Sequence, residues 1–160
     1  MESQIVSIKK LQRKLWVFTL FKVPLLFFCR PKIVHLNTSS LAVRIPLYWW
    51  TKNHINSMYF GVLTMGADLA CGLLAMVKIA NRKKTIGVIF KSVTVSFLMR
   101  AEHDVTFICN EGVIIDDMVN QAIQTEQRVT KTCRILAYTG CNMENLVASF
   151  TLELSIKLKS

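Results

Sequence analysis

A chain of 160 residues, 52% of them hydrophobic, is long enough for one domain with one core and too short for two independent cores. The mean hydropathy of +0.37 is high for such a chain, yet no uninterrupted apolar run reaches the roughly 18 residues that a membrane-spanning helix needs. We therefore expect no membrane span, and we expect the surplus apolar surface to be buried between the subunits of a homo-oligomer.

The formal net charge is +10, and the basic excess is greatest in residues 1–34, where seven Lys and Arg residues stand against Glu2 alone. A second basic cluster lies at residues 78–84. Such clusters attract polyanions, namely nucleic acid, anionic lipid or the phosphates of a nucleotide-bearing cofactor, or they are solvated residues that keep an apolar protein in solution. No zinc-finger, basic-zipper or aromatic RNA-binding pattern is present, so we expect no nucleic-acid partner.

The five cysteines are odd in number and show no Cys-x-x-Cys spacing. The apolar segment at residues 15–29 lacks the small-residue cleavage site of a secretory signal. Both features predict reduced thiols in a cytoplasmic protein. The three histidines have no ligand spacing with one another or with a cysteine, so we expect no metal.

The first predicted element is a helix over residues 7–28, which Pro24 is expected to end or kink. We interpret residues 1–30 as an N-terminal helical extension. It either covers one end of a sheet or lies on a membrane surface as a basic amphipathic helix. Residues 32–37 and 41–49, rich in Val, Ile and aromatic residues, are predicted to be strands.

Residues 60–80 form the strongest single element. Apolar residues recur at helical spacing, and small residues such as Gly61, Gly66 and Gly72 occur throughout. A helix that is apolar nearly all round must be buried on most sides, and its small residues let strands approach closely. Asp68 is the only acid in this helix.

The rest of the chain predicts strands at residues 85–99, 103–109, 128–138 and 145–159, and a helix at residues 111–127 that Asn110 is expected to cap. In the last strand, apolar residues alternate with mainly polar ones, so one face is buried. This grouping predicts an α+β fold with an antiparallel sheet over residues 31–160, and not a doubly wound α/β fold.

Asp68 is the first candidate for chemistry, because a carboxylate on an apolar helix is costly unless it is paired. It either bonds a backbone group or a basic residue of a neighbouring strand, or it acts as a general base or nucleophile whose pKa its apolar surroundings set. Asn53 supplies an amide that can position water or a carbonyl. The helix start at Tyr59, Phe60 and Gly61 offers unpaired backbone N–H groups and the positive end of the helix dipole, which are the parts of an oxyanion hole.

Residues 53–61 (NHINSMYFG) and 66–68 (GAD) resemble the catalytic segment of hotdog-fold acyl-CoA thioesterases of the phenylacetate-pathway type. There, an Asn precedes a His-Gly-Gly helix start, and an acid follows one to two turns into the central helix. Residues 93–101 resemble the strand after that helix. The likeness covers roughly residues 24–158 and is greatest for a bacterial branch known as a domain of unknown function, which shares the N-terminal extension and the extra helix.

The resemblance implies a hotdog fold, in which an antiparallel sheet wraps a central buried helix, and an active site between subunits of a dimer or a dimer of dimers. It implies that Asp68 acts as the general base for water or as the nucleophile on a thioester carbonyl, and that Asn53 orients the water or the carbonyl. The backbone N–H of Phe60, with Gly61 beside it, then polarises the carbonyl. The chain departs from the family where His-Gly-Gly is replaced by Tyr59, Phe60 and Gly61.

The substrate that the resemblance implies is an acyl-CoA or a related thioester, with coenzyme A as part of the substrate and no separate cofactor. Residues implied to bind the substrate, at the helix start and around the phosphates of coenzyme A, are Tyr59, Arg82, Lys83, Lys84 and Arg100. The alternative is a non-catalytic acyl-CoA or fatty-acyl binder that uses the same channel, because the ring of Phe60 either crowds the thioester or lines the acyl pocket.

Overall fold

The computed structural model describes residues 2–80, 82, 85–140 and 142–158. The helices and strands, in chain order, are α1 (Glu2–Lys22), α2 (Pro24–Phe28), β1 (Lys32–Leu36), β2 (Leu41–Ile45), α3 (Phe60–Ala80), β3 (Ile86–Phe97), β4 (Val105–Cys109), α4 (Gly112–Thr125), β5 (Val129–Thr139) and β6 (Asn145–Leu158). The predicted succession of helix, two strands, buried helix and further strands is confirmed.

One antiparallel sheet contains the six strands in the order β1-β2-β4-β5-β6-β3, so β1 and β3 are its two edges. Helix α3 lies against one face of this sheet, where it contacts β2, β4, β5, β6 and β3, and α4 packs beside it. A long central helix wrapped by an antiparallel sheet is the hotdog architecture, and this α+β fold was the one predicted.

Helix α3 lies close to the sheet because Gly66 has no side chain. A Cβ atom at Gly66 would lie 2.2 Å from the ring of Phe107, a fully buried residue of β4. By length and composition α3 is apolar enough to cross a membrane, but more than half of its apolar window is buried inside the protein. It is therefore the core helix that the small residues predicted.

Strand β2 is shorter than predicted and ends at Ile45 instead of residue 49. Pro46 follows directly and has no N–H to donate to a neighbouring strand. The next N–H, that of Leu47, donates instead to the carboxylate of Asp104 at 2.9 Å. The chain then leaves the sheet and forms the loop that leads to α3.

The predicted cap of α4 was wrong. The residue before the helix is Glu111, not Asn110, and it makes no side-chain capping hydrogen bond. The N–H of Gly112 donates to the carbonyl of Ser39 at 2.9 Å, and a Cβ at Gly112 would lie 2.6 Å from that carbonyl oxygen. A close contact with the β1–β2 turn, which sequence spacing does not reveal, thus determines where α4 begins.

The N-terminal segment is helical with an interruption before Pro24, as predicted: α1 ends at Lys22 and α2 begins at Pro24. The side chain of Gln12 attaches α1 to the start of β1. Its Nε2 donates to the carbonyl of Pro31 at 2.9 Å, and its Oε1 accepts from the N–H of Ile33 at 2.7 Å. The helix thus covers the β1 edge of the sheet, while the domain boundary at residue 30 stays a prediction.

Strand β3 contains a bulge that keeps its apolar residues on one face. The ladder pairs Phe90 with Leu154 and Val93 with Leu152, so two residues of β3 lie opposite one residue of β6. Directly paired residues share a face, and Leu154 and Leu152 are buried. Phe90 and Val93 therefore both point to the side of the sheet that α3 covers.

Candidate active site

A cavity of about 520 Å³ opens at the start of α3, and we call it the helix-start pocket. Two loops form it: the N–H of Met58 donates to the carbonyl of Ala101 at 2.8 Å, and Arg100 Nη2 donates to the carbonyl of Ile55. The predicted site residues that line the pocket are Asn53, Tyr59, Phe60 and Arg100. The structure therefore brings together four residues that lie up to 47 positions apart in the chain.

Asn53 holds the loop with one end of its amide and leaves the other end free. Its Oδ1 accepts hydrogen bonds from the N–H groups of Ile55 at 3.0 Å and Ser57 at 3.1 Å, and from Ser57 Oγ at 3.3 Å. Two backbone donors identify this atom as the oxygen. The Nδ2 group has no acceptor in the part of the chain that the structure describes, so it keeps its donors for a ligand oxygen.

The first turn of α3 presents two backbone donors. The carbonyl of Tyr59 accepts hydrogen bonds from the N–H groups of Val62 at 2.9 Å and Leu63 at 3.1 Å, so these two N–H groups of the first helical turn have a partner. The N–H groups of Phe60 and Gly61 have no acceptor among the described residues. They point out of the positive end of a 21-residue helix. This is the arrangement that binds an oxyanion.

Aromatic rings crowd this helix start. The rings of Tyr59 and Phe60 lie 4.7 Å apart, centroid to centroid, and Phe60 is largely exposed. A Cβ at Gly61 would lie 2.6 Å from Cε1 of Tyr59, so the tyrosine ring covers the space that glycine leaves. The replacement of His-Gly-Gly by Tyr59, Phe60 and Gly61 thus adds two rings beside the backbone donors.

Asp68 lies two turns farther along α3 and is half-buried. Among the described residues, none ion-pairs with its carboxylate or donates a hydrogen bond to it. Burial raises the pKa of the Asp68 carboxyl above its ordinary value, because the charged form loses hydration. The described residues of a single chain therefore do not support the interpretation that Asp68 bonds a backbone group or a basic residue of a neighbouring strand.

Asp68 belongs to a stripe along α3 that neither the sheet nor α4 buries. The positions of this stripe are four residues apart and are Phe60, Thr64, Asp68, Gly72 and Met76. One turn beyond Asp68, a Cβ at Gly72 would lie 3.8 Å from the ring of Phe90 in β3. At the start of the stripe, Phe60 lines the helix-start pocket together with Phe97 of β3. Helix α3 and strand β3 therefore run side by side in opposite directions.

The lengths of the two elements agree with this alignment. Residues 60–72 of the helix span about 18 Å, and residues 90–97 of β3, allowing for the bulge, span about 20 Å. Asp68 accordingly lies alongside the middle of β3, between the points where Phe90 and Phe97 face the helix. Val93 and Phe97 face α3 yet remain 48% and 50% exposed, so the apolar surface between helix and strand is open to solvent. We call it the α3–β3 groove.

The predicted basic residues lie at different ends of α3. Arg100 is at the helix-start pocket, more than half exposed, with Nη2 at 3.2 Å from Glu102 Oε1. Arg82 follows the other end of α3, about 31 Å away along the helix, where its Nη2 lies 3.7 Å from Asp116 Oδ1. Lys83 and Lys84 lie outside the described residues. The roles of these residues stay predictions.

Residues 12–140 match the model of the family described as Domain of unknown function (DUF4442). The chain belongs to this family. No protein with a curated function matches the sequence.

Solved structures share the fold of this DUF4442 protein. A protein of unknown function from Chlorobaculum tepidum superposes with a TM-score of 0.82 at 14% identity, over 95% of this chain and 97% of that chain. A Pseudomonas aeruginosa protein described as a probable thioesterase gives 0.73 at 18% identity, over 89% and 92%. A thioesterase family protein from Silicibacter pomeroyi gives 0.67 at 16% identity, over 95% and 99%. At these identities the likeness establishes the hotdog fold that thioesterase-like proteins share.

Sequence reasoning missed the second wall of the groove in this DUF4442 protein. The sequence predicts Val93, Val95 and Phe97 as part of a strand that resembles the one after the catalytic helix, and it gives them no role in the site. Their odd-numbered apolar spacing was a signal that they share one face. The bulge makes this pattern hard to recognise, because the inward-facing positions are even-numbered before the bulge, as at Phe90, and odd-numbered after it.

Proposed function

We propose that this protein hydrolyses an acyl-CoA or a related thioester in the α3–β3 groove, at an interface between two copies of the chain. The observation that carries the proposal is a half-buried carboxylate, Asp68, for which the described residues offer no polar partner. It lies in an apolar groove, at whose end the N–H groups of Phe60 and Gly61 find no acceptor in the same part of the chain. A base of raised pKa and an oxyanion hole are the two parts that thioester hydrolysis needs.

The distance between these parts favours a site made by two copies. Phe60 and Asp68 are eight residues apart on one helix, which is about 12 Å along its axis. A carbonyl whose oxygen accepts from the Phe60 N–H stays within a few ångströms of the helix start, so this separation favours a carboxylate that reaches the carbonyl and its water from a second copy. We infer that the oxyanion donors of one copy work with the Asp68 carboxylate of the other.

The free edge of the sheet supports such a pairing. Strand β3 has β6 on one side and, within the described residues, no strand on the other, and its Ile89, Val93 and Phe97 are about half exposed. A long apolar edge strand is a ready template for another strand. Two β3 strands joined about a two-fold axis would run antiparallel and set the two α3 helices in opposite directions, which brings the helix start of each copy towards the other's Asp68.

In the hydrolysis, the N–H groups of Phe60 and Gly61 and the Nδ2 of Asn53 donate to the thioester oxygen. The Asp68 carboxylate takes a proton from a water molecule whose oxygen forms the new bond to the carbonyl carbon. The C–S bond then breaks, and the proton passes from Asp68 to the leaving thiolate. Desolvation makes the carboxylate a stronger base than one in water, which suits this role; direct nucleophilic attack by Asp68 is the other route.

The experiment is release of free thiol from a panel of acyl-CoAs. Asp68→Asn is expected to lower kcat by about 100-fold or more. Asp117→Asn is the matched control, because Asp117 is an exposed acid on α4 with no ion pair among the described contacts. Equal rates for wild type and Asp68→Asn would remove the role assigned to Asp68.

A complementation experiment tests the two-copy site. Asn53→Asp keeps an oxygen for the loop hydrogen bonds and removes the Nδ2 donors. Chains carrying Asn53→Asp and chains carrying Asp68→Asn are unfolded together and refolded as a mixture. If the groups come from two copies, mixed oligomers contain one intact site and regain part of the activity. Activity no higher than that of the separate variants would place both groups in one chain.

We further propose that Arg100 binds a phosphate of coenzyme A, since its guanidinium lines the helix-start pocket together with His54. Arg100→Gln is expected to raise the KM for acyl-CoA several-fold and to leave the KM for acyl-N-acetylcysteamine, which lacks the nucleotide, unchanged. An effect seen only with Arg82→Gln or with Lys83→Gln and Lys84→Gln would place the phosphates at the far end of α3.

A second candidate function is non-catalytic binding of acyl-CoA or a fatty acyl group. The rings of Tyr59 and Phe60 beside the backbone donors favour it, because they restrict access of a thioester to the helix start. It predicts fatty acyl species that co-purify, or thermal stabilisation by acyl-CoA without thiol release. The lack of both would exclude it.

We propose a cytoplasmic location. The four cysteines that the structure describes, Cys29, Cys71, Cys109 and Cys133, are free thiols in the interior, which agrees with a reducing compartment. Fractionation of cells that express the full chain tests this location.

A further inference from the structure

Helix α1 attaches to the protein through a narrow stripe and turns most of its surface outward. Leu15 and Thr19 are buried. Large apolar side chains on the remaining surface of the helix are exposed, and they are Trp16, Val17, Phe18, Leu20 and Phe21. Phe21 is 74% exposed. A helix that only covers a sheet edge has polar residues at its solvent-facing positions.

The exposed aromatic residues continue beyond α1. The rings of Trp16 and Phe27, and those of Phe27 and Phe28, meet edge to face at 6.3 Å. Trp50 Nε1 donates to the carbonyl of Phe28 at 2.8 Å, and Trp49, 81% exposed, lies edge to face against Trp50 at 5.4 Å. The two helices and the loop after β2 thus form one surface, which we call the aromatic surface.

Basic residues lie among these rings. Residues 3–32, which contain α1 after its first residue and all of α2, have seven lysine and arginine residues and no acid. Lys9 and Arg13 line, with Trp16, an apolar groove of about 620 Å³ on α1. The guanidinium of Arg30 lies 5.4 Å from the ring centroid of Trp50. Apolar rings and positive charges are therefore combined on α1 and at the contact between Arg30 and the loop after β2.

We propose that the aromatic surface binds the headgroup region of an anionic lipid bilayer. Trp and Phe side chains insert at the level of the headgroups, while Lys and Arg contact lipid phosphates. A second copy of the chain is a poorer occupant, because the same basic residues would then face one another. The surface adjoins the β1 edge, and the groove for the proposed chemistry adjoins the opposite edge, β3, so membrane binding does not depend on the proposed function.

The test is co-sedimentation of the full chain with vesicles of phosphatidylcholine alone and of three parts phosphatidylcholine to one part phosphatidylserine. Binding is expected to the second vesicles only, and to weaken in high salt. Phe21→Ser with Trp49→Ser is expected to lower the partition coefficient about tenfold or more. Lys9→Gln with Arg13→Gln is expected to lower it about fivefold for each charge removed.

Matched controls lie elsewhere on the surface. Val113→Ser removes an exposed apolar residue from α4, and Arg134→Gln with Lys157→Gln removes two exposed charges from β5 and β6. Neither should change vesicle binding. Equal binding to both vesicle types, or equal loss with the controls, would overturn the proposal. So would the absence of vesicle binding together with a change of oligomeric state in Phe21→Ser with Trp49→Ser, because a second copy would then cover the surface.

Discussion

At the scale of single residues, the burial of Asp68 makes the stability of the protein depend on pH. Its pKa is raised by burial above an ordinary value near 3.8, so the folded protein holds a proton more tightly than the unfolded chain does. Where the folded state binds more protons, the free energy of unfolding falls as pH rises. The cost of burying the charged carboxylate is thus absent below the unfolded pKa and complete above the raised folded pKa.

We therefore predict that Asp68→Asn is more stable than wild type at neutral pH and equally stable in acid below about the unfolded pKa. Urea unfolding at a series of pH values measures this difference. Asp117→Asn, an exposed carboxylate, should track wild type throughout. A loss of stability in Asp68→Asn at neutral pH would contradict the prediction, because it would mean that the charged form has a favourable partner.

The candidate residues differ in how visible they are in the sequence. Asp68 can be recognised in the sequence because burying an acid in an apolar helix is costly unless the acid has a specific role or partner. The helix start can be recognised because the N–H groups of a first turn have no acceptor within the helix. The loop-building role of Asn53 follows from hydrogen bonds to Ile55 and Ser57 and could not be anticipated from composition. Phe97 was not predictable as a site residue, because its place depends on pairing with β6.

At the scale of elements, two glycines of α3 meet different neighbours. A Cβ at Gly66 would lie 2.2 Å from the buried ring of Phe107, whereas one at Gly72 would lie 3.8 Å from Phe90. We predict that Gly66→Ala lowers the free energy of unfolding by about 1–3 kcal/mol through overpacking. Gly72→Ala should be neutral or raise it by up to about 1 kcal/mol, because alanine favours the helix.

Chemical denaturation of the two variants measures this difference. Phe107→Leu in the Gly66→Ala background should recover part of the loss, since it removes the ring that the new methyl group meets. Equal stability of Gly66→Ala and Gly72→Ala would contradict the close packing of α3 on β4.

Element types were predictable, while several boundaries were not. The apolar small-residue pattern of α3 and the alternation in β6 each predict one structure, and both are confirmed. The ends of β2 and the start of α4 depend on partners far along the chain, Asp104 and Ser39. Local secondary-structure propensity does not reveal such long-range contacts.

At the scale of the whole molecule, the two edges of the sheet differ. Helix α1 contacts β1, whereas no strand of the described part of the chain pairs with the outer side of β3. We predict that the protein is a dimer through β3, and that Ile89→Lys raises the dissociation constant about tenfold or more, because it places a charge on an exposed apolar edge. Light scattering coupled to size exclusion measures the mass.

Val34→Lys is the control on the opposite edge, since Val34 is exposed on β1. It should leave the dimer intact. A dimer that survives Ile89→Lys but dissociates in Val34→Lys would place the interface at β1. If the two-copy site is correct, thiol release should fall together with dimer content.

The fold class was predictable and the strand order was not. The grouping of strands after one buried helix is enough to predict an antiparallel α+β sheet. In the order β1-β2-β4-β5-β6-β3, strand β3 pairs with the last strand, β6, and not with β2 or β4, which precede and follow it in the sequence. Period-2 alternation in the sequence specifies which face a residue takes and not which strand it joins.

The bulge in β3 has a consequence for how the family can change length. Because Lys91 and Ser92 share one position opposite Glu153, removal of one of them restores regular alternation and leaves Val93, Val95 and Phe97 facing the helix. Removal of Ser96 would instead turn Phe97 away from the groove. Among single-residue deletions in this strand, we therefore expect deletion of Lys91 or Ser92 to be tolerated. A deletion scan that measures soluble yield and thiol release should show both retained for these deletions and lost for deletion of Ser96.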